Sequence, residues 1–223
     1  MITYERFLKE GVYDPNIFKA VFMAGGPGSG KSFIAGITTG GLGLKIINSD
    51  APFERFLKKE GLSLKMPDSE TLERDIERSR AKKVTASKKF HAVKGRLGII
   101  IDGTGHKYDK VADQAKMLQQ LGYETSMVFV NTSLEVALAR NEQRARSVKP
   151  TLVKKSWQDV QNNMGKFQQF FGAGNFFIVD NNGVEQDLLQ ISTKVIRRAI
   201  SKPVNNKIAT AWIASEMEKK RRT

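Results

Sequence analysis

The feature that most constrains the fold is a glycine-rich run between an apolar segment and a candidate helix. Ala20–Ala24 is apolar, and the run Gly25–Ser32 that follows has the form Gly-x-x-x-x-Gly-Lys-Ser. The next residues can begin a helix, so the pattern predicts a strand, a tight loop and a helix in succession. Glycines allow successive backbone N–H groups to point at one anion, and the helix start adds the positive end of its dipole. The sequence therefore predicts a phosphate-binding loop.

This loop assigns roles to individual residues. The pattern predicts that Lys31 reaches the β- and γ-phosphates of ATP and that Ser32 ligates Mg²⁺. ATP and Mg²⁺ are therefore the predicted cofactors. The other residues of the predicted nucleotide site are Gly25, Gly26, Pro27, Gly28, Ser29, Gly30, Phe33 and Arg140.

Composition limits the class of protein. The chain has 223 residues, 40% of them hydrophobic, which can fill the core of one large domain or two small ones. It has no cysteine, which excludes disulfides, thiolate zinc sites and cysteine nucleophiles. No apolar run approaches the roughly 20 residues of a membrane span, and Met1–Arg6 lacks the layout of a signal peptide. We expect a cytoplasmic protein without a membrane partner.

The net charge of +14 exceeds what ATP binding requires and indicates nucleic acid as a polyanionic partner. The charge lies in two clusters. Between Arg74 and Arg96, nine Lys and Arg stand against two acidic residues, a net +7; between Arg140 and Lys155, six stand against one, a net +5. A solvated helix face without a ligand is the alternative for the first cluster. We expect that cluster to lie away from Lys31.

The rest of the chain alternates apolar runs with helical patterns. A short helix is predicted over Thr3–Glu10, and four further strands are predicted over residues 44–48, 97–101, 126–130 and 176–179. Five nearly continuous apolar strands separated by helices are typical of a parallel sheet covered on both faces, an α/β fold. We expect a single domain over residues 1–223, with a core at about 18–180 and C-terminal helices with a basic tail over 181–223.

Polar side chains follow the predicted strands at Asp50, Asp102 and Asn131. Ligands of parallel sheets bind beyond the carboxyl ends of the strands, so these residues should lie near the phosphate loop. Asp50 is the natural base, because it ends the strand neighbouring the loop and can accept a proton from an acceptor hydroxyl. The alternative for Asp50 is a helix N-cap ahead of Pro52.

Asp102 is the predicted second ligand of the metal, together with Ser32. An ATPase would carry a further acidic residue there to polarise water, and its absence favours a kinase over a hydrolase. We expect Arg140, Arg144 and Arg146 on a helix that closes over the phosphates as a lid, with Arg140 and Arg144 on one face. Arg144 is favoured for contact with the reacting group. The predicted catalytic residues are Asp50, Lys31 and Arg144.

These motifs together resemble the kinase domain of phage polynucleotide kinases and the related zeta-toxin kinases. The segments that carry the resemblance are Gly25–Ser32, Asn48-Ser-Asp50, Asp102-Gly-Thr104 and Arg140-Asn-Glu-Gln-Arg144, within about residues 18–180. The resemblance implies a P-loop NTPase-type three-layer sandwich, with a five-stranded parallel sheet of order 2-3-1-4-5, helices on both faces and a helical lid. It also implies that Asp50 activates the acceptor hydroxyl and that Arg144 contacts the reacting phosphates.

One position departs from the polynucleotide kinase pattern. Those kinases carry an arginine shortly after the base that grips the phosphate of the acceptor; here the position falls near Phe53, with Arg55 the nearest substitute. Three functions follow. The first is an ATP-dependent kinase of a hydroxyl on nucleic acid, either a 5′-end or a hydroxymethylated base in phage-type DNA. The second is a zeta-toxin-like kinase of a uridine-diphosphate amino sugar. The third is a nucleotide-gated protein that binds nucleic acid without transferring phosphate.

Overall fold

The computed structural model describes residues 11–183 and 185–222, and for residues 37–41 and 185–187 it describes the backbone alone. The helix predicted over Thr3–Glu10 lies outside the described residues. The strands are β1 (Lys19–Ala24), β2 (Lys45–Ile47), β3 (Ile99–Asp102), β4 (Glu124–Asn131) and β5 (Phe176–Asp180). The helices are α1 (Lys31–Leu42), α2 (Asp50–Lys59), α3 (Thr71–Lys94), α4 (Tyr108–Gln120), α5 (Leu134–Gln143), α6 (Pro150–Phe171), α7 (Glu185–Ile200) and α8 (Lys207–Arg221).

The strands form one parallel sheet in the order β2-β3-β1-β4-β5. This confirms the predicted fold class and strand order. Val21, at the centre of β1, pairs with Ile100 on one side and with Ser126 on the other. Because β1 is the central strand, the loop that follows it emerges in the middle of the carboxyl edge, between the ends of β3 and β4.

The alternation of side chains along β1 divides the core into two layers. Phe22 faces one layer, where aromatic residues of α6 such as Phe167 and Phe171 pack with α4 and α8. Val21 and Met23 face the other layer, which is covered by α1 and α7. Helices therefore cover both faces, as the apolar strands predict.

A third, smaller cluster joins α2 to α3. Phe53, Phe56 and Leu57 of α2 are buried against Ala81 of α3. This contact holds the long α3 beside the first residue of α2, Asp50. The first turns of the basic helix are thereby placed at the carboxyl edge of the sheet.

The C-terminal helices pack on the core. α7 covers α1, and α8 brings Ala209 against Gly122 and Trp212 to 5.5 Å, between ring centroids, from Phe18. None of the helices among the described residues is long and apolar enough to cross a membrane.

Candidate active site

The loop between β1 and α1 requires glycine at two positions. Gly28 and Gly30 have φ angles of 82° and 86°, in the region that favours glycine. A Cβ on Gly28 would lie 2.2 Å from the carbonyl oxygen of Ala137 in α5, and a Cβ on Gly30 would lie 2.3 Å from Nδ2 of Asn181. The loop is therefore held closely between α5 and the end of β5.

Two side chains outside the motif support the loop. Asn181, which follows β5, is buried and donates from Nδ2 to the carbonyl oxygen of Ser29 at 2.7 Å. Trp157 of α6 donates from Nε1 to the carbonyl oxygen of Thr132 at 2.7 Å and packs against Gly26. Neither residue was predicted from the sequence, although Asn181 follows a strand just as Asp50 and Asp102 do.

Lys31 is buried and turned toward the loop. Its Nζ donates to the carbonyl oxygens of Gly25 at 2.5 Å and Gly26 at 2.9 Å, and to Oγ of Ser29 at 3.1 Å. Burial lowers the pKa of Lys31 to about 8, and the nearby carboxylate of Asp102 opposes that shift. The ammonium group is therefore held at the loop by two carbonyl oxygens and one hydroxyl.

The predicted metal ligands are in contact. Ser32 Oγ donates to Oδ2 of Asp102 at 3.1 Å, and Asn48 donates to the same oxygen. The described residues contain no cluster of three or more His, Asp or Glu that could hold a metal by itself. Mg²⁺ is usually held by one or two carboxylates together with water and the phosphates of the substrate, so a hydroxyl beside a carboxylate fits this ion.

Asp50 is the first residue of α2, and Ser49 is its N-cap. The predicted alternative, in which Asp50 caps the helix, is therefore wrong. The backbone N–H of Asp50 donates to Oδ1 of Asn48 at 2.5 Å, while Nδ2 of Asn48 donates to Asp102. One asparagine thus connects the candidate base to the candidate metal ligand.

Two arginines bind the carboxylate of Asp50. Arg78 of α3 donates from Nη1 to Oδ1 at 3.0 Å, and Nη2 of Arg146 lies 3.3 Å from the same oxygen. Arg146 also donates from Nε to Oε1 of Glu54 at 2.9 Å. Burial raises the pKa of Asp50, but the charge of Arg146 and the hydrogen bond from Arg78 outweigh it, and the pKa lies below its ordinary value.

Two arginines lie over the ring of Phe53. The guanidinium of Arg78 lies 4.0 Å from the ring centroid and that of Arg146 lies 5.9 Å from it, whereas that of Arg55, the expected substitute, lies over Phe56. Arg78 thus brings the basic cluster to Asp50, and the expectation that this cluster lies away from Lys31 stays a prediction. α3 is long enough for its first turns to reach the site while its last turns lie well beyond it.

The lid differs from the prediction. α5 ends at Gln143, so Arg144 and Arg146 lie in the segment after it, and Arg144 has extended backbone angles. The reason is Asn141, a buried residue whose side chain exchanges two hydrogen bonds with the backbone of Val148, at 2.7 and 3.0 Å. These bonds fold the segment back onto the helix and direct Arg146 toward Asp50.

Six of the predicted site residues line two cavities, three in each. The first, of about 330 Å³, is lined by Ser32, Asn48, Asp50, Ala51, Glu54, Arg144, Ala145 and Arg146. The second, of about 220 Å³, is lined by Gly30, Phe33, Arg140, Asn181 and Leu188. Arg140 donates from Nη1 to the carbonyl oxygen of Asn181 at 2.9 Å. Arg140 and Arg144 therefore do not share a face, since each lines a different cavity.

No curated protein sequence matches the chain, whereas several solved structures do. A putative kinase from Chloroflexus aurantiacus J-10-fl has 17% identity and a TM-score of 0.58, covering 83% of this chain and 97% of that one. A structure of the PezAT chromosomal toxin–antitoxin system of Streptococcus pneumoniae has 17% identity and a TM-score of 0.55, covering 87% and 92%. A gluconokinase from Sinorhizobium meliloti 1021 has 15% identity and a TM-score of 0.52, covering 83% and 95%.

These structural likenesses confirm the expected P-loop kinase fold. The sequence pattern of the zeta toxin family matches residues 10–190, which is most of the chain. That match confirms the zeta-toxin part of the resemblance. The chain belongs to the zeta toxin family.

Proposed function

We propose that the protein is an ATP-dependent phosphotransferase that moves the γ-phosphate to a hydroxyl on nucleic acid. The observation that supports this most is the first cavity, which has Ser32 of the phosphate loop on one wall and the carboxylate of Asp50 on another. A hydroxyl in this cavity would lie between a general base and the loop that binds the phosphates.

The nucleotide would bind along the loop. Its phosphates would accept hydrogen bonds from the backbone N–H groups of the loop, and Lys31 would turn from the carbonyl oxygens of Gly25 and Gly26 toward them. Phe33 and Arg140 would contact the rest of the nucleotide from the second cavity. Ser32 and Asp102 would hold Mg²⁺. When bound there, Mg²⁺ would neutralise charge on the phosphate oxygens.

Transfer of the γ-phosphate needs a proton acceptor for the attacking hydroxyl and cations near the transferred group. Asp50 would accept the proton of the acceptor hydroxyl as that oxygen attacks the γ-phosphorus. The bond from this phosphorus to the oxygen that bridges to the β-phosphate breaks, and ADP leaves. Lys31 and Arg144 would stabilise the negative charge of the transferring group.

The charge of α3 supports nucleic acid as the acceptor. The segment from Arg74 to Arg96 has a net charge of +7 and reaches the candidate active site, because Arg78 binds Asp50. A 5′-hydroxyl and a hydroxymethylated base both satisfy this arrangement. Membership of the zeta toxin family supports a second candidate, a uridine-diphosphate amino sugar, which gives no reason for the charge of α3.

The test offers γ-labelled ATP with three acceptors: a 5′-hydroxyl oligonucleotide, a hydroxymethylated duplex and a uridine-diphosphate amino sugar. We expect label in one of the two nucleic acids, with labelling slowed by roughly 10²- to 10⁴-fold in Asp50→Asn. Label in the sugar nucleotide alone would contradict the nucleic-acid acceptor but support the assignment as a kinase. Nucleic-acid binding that depends on ATP, with no label in any acceptor, would contradict the phosphotransferase and favour the nucleotide-gated binding protein.

A further inference from the structure

An apolar cavity lies at the other end of α3, away from Asp50. It has a volume of about 470 Å³ and lies between the last turns of α3 and the helix α4. Its apolar lining includes Phe90 and Val93 of α3, Met117 of α4 and Leu121 just after it. We call this cavity the α3–α4 groove. Phe90 is 63% exposed and has an edge contact with the ring of His91, at 5.4 Å between centroids.

Cations surround the groove. Lys89 and Lys94 lie on its rim, and among the described residues no carboxylate lies within ion-pair distance of either. Burial lowers the pKa of Lys89, and the charge of Lys110 on α4 lowers it further, so Lys110 is a second cation that lies close enough to repel Lys89. A phosphate near both would relieve that repulsion.

A row of cations on α3 leads from the candidate active site to the rim of the groove. At 3.6 residues per turn, Arg78, Lys82 and Lys89 lie within about 40° of each other around the helix. Phe90 follows Arg78 by twelve residues, or about 18 Å along the axis, and lies about 120° round the helix from it. A strand that extends from Asp50 along this row would therefore turn round α3 at Lys89 to bring a base to Phe90.

We propose that the α3–α4 groove binds an unstacked base of a single-stranded segment of the nucleic-acid acceptor, with Phe90 against the base and Lys89 and Lys110 near the adjoining phosphate. This inference rests on the proposed function, because it assumes an acceptor that extends from Asp50. An exposed aromatic ring beside cations that no carboxylate neutralises is the combination that binds single strands, since every base has a face that can stack.

The separation from Asp50 predicts a length dependence. Phe90 lies at least about 18 Å from Arg78 and on another side of the helix, so an acceptor held at Asp50 must be long enough to pass Lys89 before it reaches the groove. A trinucleotide held at Asp50 would not reach the groove, whereas a decanucleotide would. Loss of Phe90 should therefore affect long acceptors only.

The experiment measures KM and kcat for a 5′-hydroxyl trinucleotide and decanucleotide, and decanucleotide binding by fluorescence anisotropy. Phe90→Ala should raise KM and Kd for the decanucleotide about 5- to 100-fold, leaving kcat and the trinucleotide unchanged. Phe90→Trp should keep the wild-type affinity because it retains a stacking ring. Leu72→Ala is the control, since Leu72 is also exposed on α3 but lies outside the groove.

Two results would overturn the inference. If Phe90→Ala binds the decanucleotide as Leu72→Ala does while both lengths are phosphorylated, the groove is not part of the acceptor site and the proposed function stands. If an acidic amphipathic peptide occupies the groove and the decanucleotide does not compete with it, the groove is a protein-docking surface. Phosphorylation of neither oligonucleotide would instead contradict the nucleic-acid acceptor itself.

Discussion

At the scale of single residues, the charge of Asp50 depends on its two arginines. Burial alone would favour the protonated carboxyl, but Arg146 and Arg78 keep the pKa below its ordinary value. The carboxylate is therefore ionised at neutral pH, as a general base must be. By the same linkage, Asp50 stabilises the fold above its ordinary pKa of about 4, and this stabilisation is lost as pH falls through its lowered pKa.

Removal of Arg78 should move the acid limb of the pH profile. In Arg78→Ala the hydrogen bond and the charge are removed while much of the burial remains, so the pKa of Asp50 rises. We expect kcat/KM, measured between pH 4 and 8, to begin its fall at a higher pH than in the wild type. Arg80→Ala is a matched control, because Arg80 binds Glu60 and Glu77 and stacks on Phe56. Identical profiles for the two variants would show that Arg78 does not set this pKa.

Lys31 should take up a proton when ATP binds. Its pKa of about 8 means that roughly half of the side chains are neutral at pH 8, and the phosphates would raise that pKa. Calorimetry at pH 8 in two buffers of different ionisation enthalpy should show net proton uptake by the wild type. Lys31→Ala should abolish this uptake, weaken ATP binding and abolish transfer. Turnover retained by Lys31→Ala would contradict its role at the phosphates.

At the scale of elements, the lid shows what local patterns leave out. The helical pattern predicts a helix that carries all three arginines, but α5 ends before Arg144 because Asn141 bonds to the backbone of Val148. These hydrogen bonds depend on the conformation of the next seven residues. Helix propensity and hydrophobic periodicity do not predict that conformation. The strands are predicted better, because continuous apolar runs are a local signal.

Asn141→Ala should loosen the lid segment. It leaves the polar backbone of Val148 without its buried partner, which costs about 1–3 kcal/mol of unfolding free energy. The apparent melting temperature should fall, and kcat should fall more than ATP affinity, because Arg144 and Arg146 lose their positions. Asn162→Ala is the control, since Asn162 is exposed on α6, where it accepts a hydrogen bond from the neighbouring side chain of Gln158. Equal effects of both changes would argue against the lid role.

The role of the positive charge of α3 in binding nucleic acid can be tested with Arg78 left unchanged, because Arg78 binds Asp50 in the candidate active site. Lys82 and Lys89 lie on the same face, and their double replacement by alanine should flatten the salt dependence of oligonucleotide binding. For each phosphate that is no longer neutralised, the log–log slope should become shallower by about 0.7 to 0.9. Lys58 and Lys59, exposed at the end of α2, supply the matched double variant. A salt-insensitive wild type would count against nucleic acid and favour the sugar nucleotide.

At the scale of the whole molecule, the phosphate loop divides the site into two cavities. The motifs predicted the loop, the strand-terminal Asp50 and Asp102, and their common edge, because these follow from strand order. They did not predict that α3 delivers Arg78 to Asp50, since this depends on how Phe53, Phe56 and Leu57 pack on Ala81. The result is one cavity on each side of the phosphate loop, which we propose for the nucleotide and for the acceptor, and a basic helix that reaches the cavity of Asp50.

The most direct test compares phosphate transfer with ATP affinity in Asp50→Asn. The amide keeps the shape of the side chain but cannot accept the proton, so single-turnover transfer to the acceptor should fall by roughly 10²- to 10⁴-fold. ATP affinity should stay close to the wild-type value, because Lys31, Ser32 and Asp102 are unchanged. Transfer at the wild-type rate, or equal losses of transfer and ATP affinity, would contradict the assignment of Asp50 as the base of a phosphotransferase.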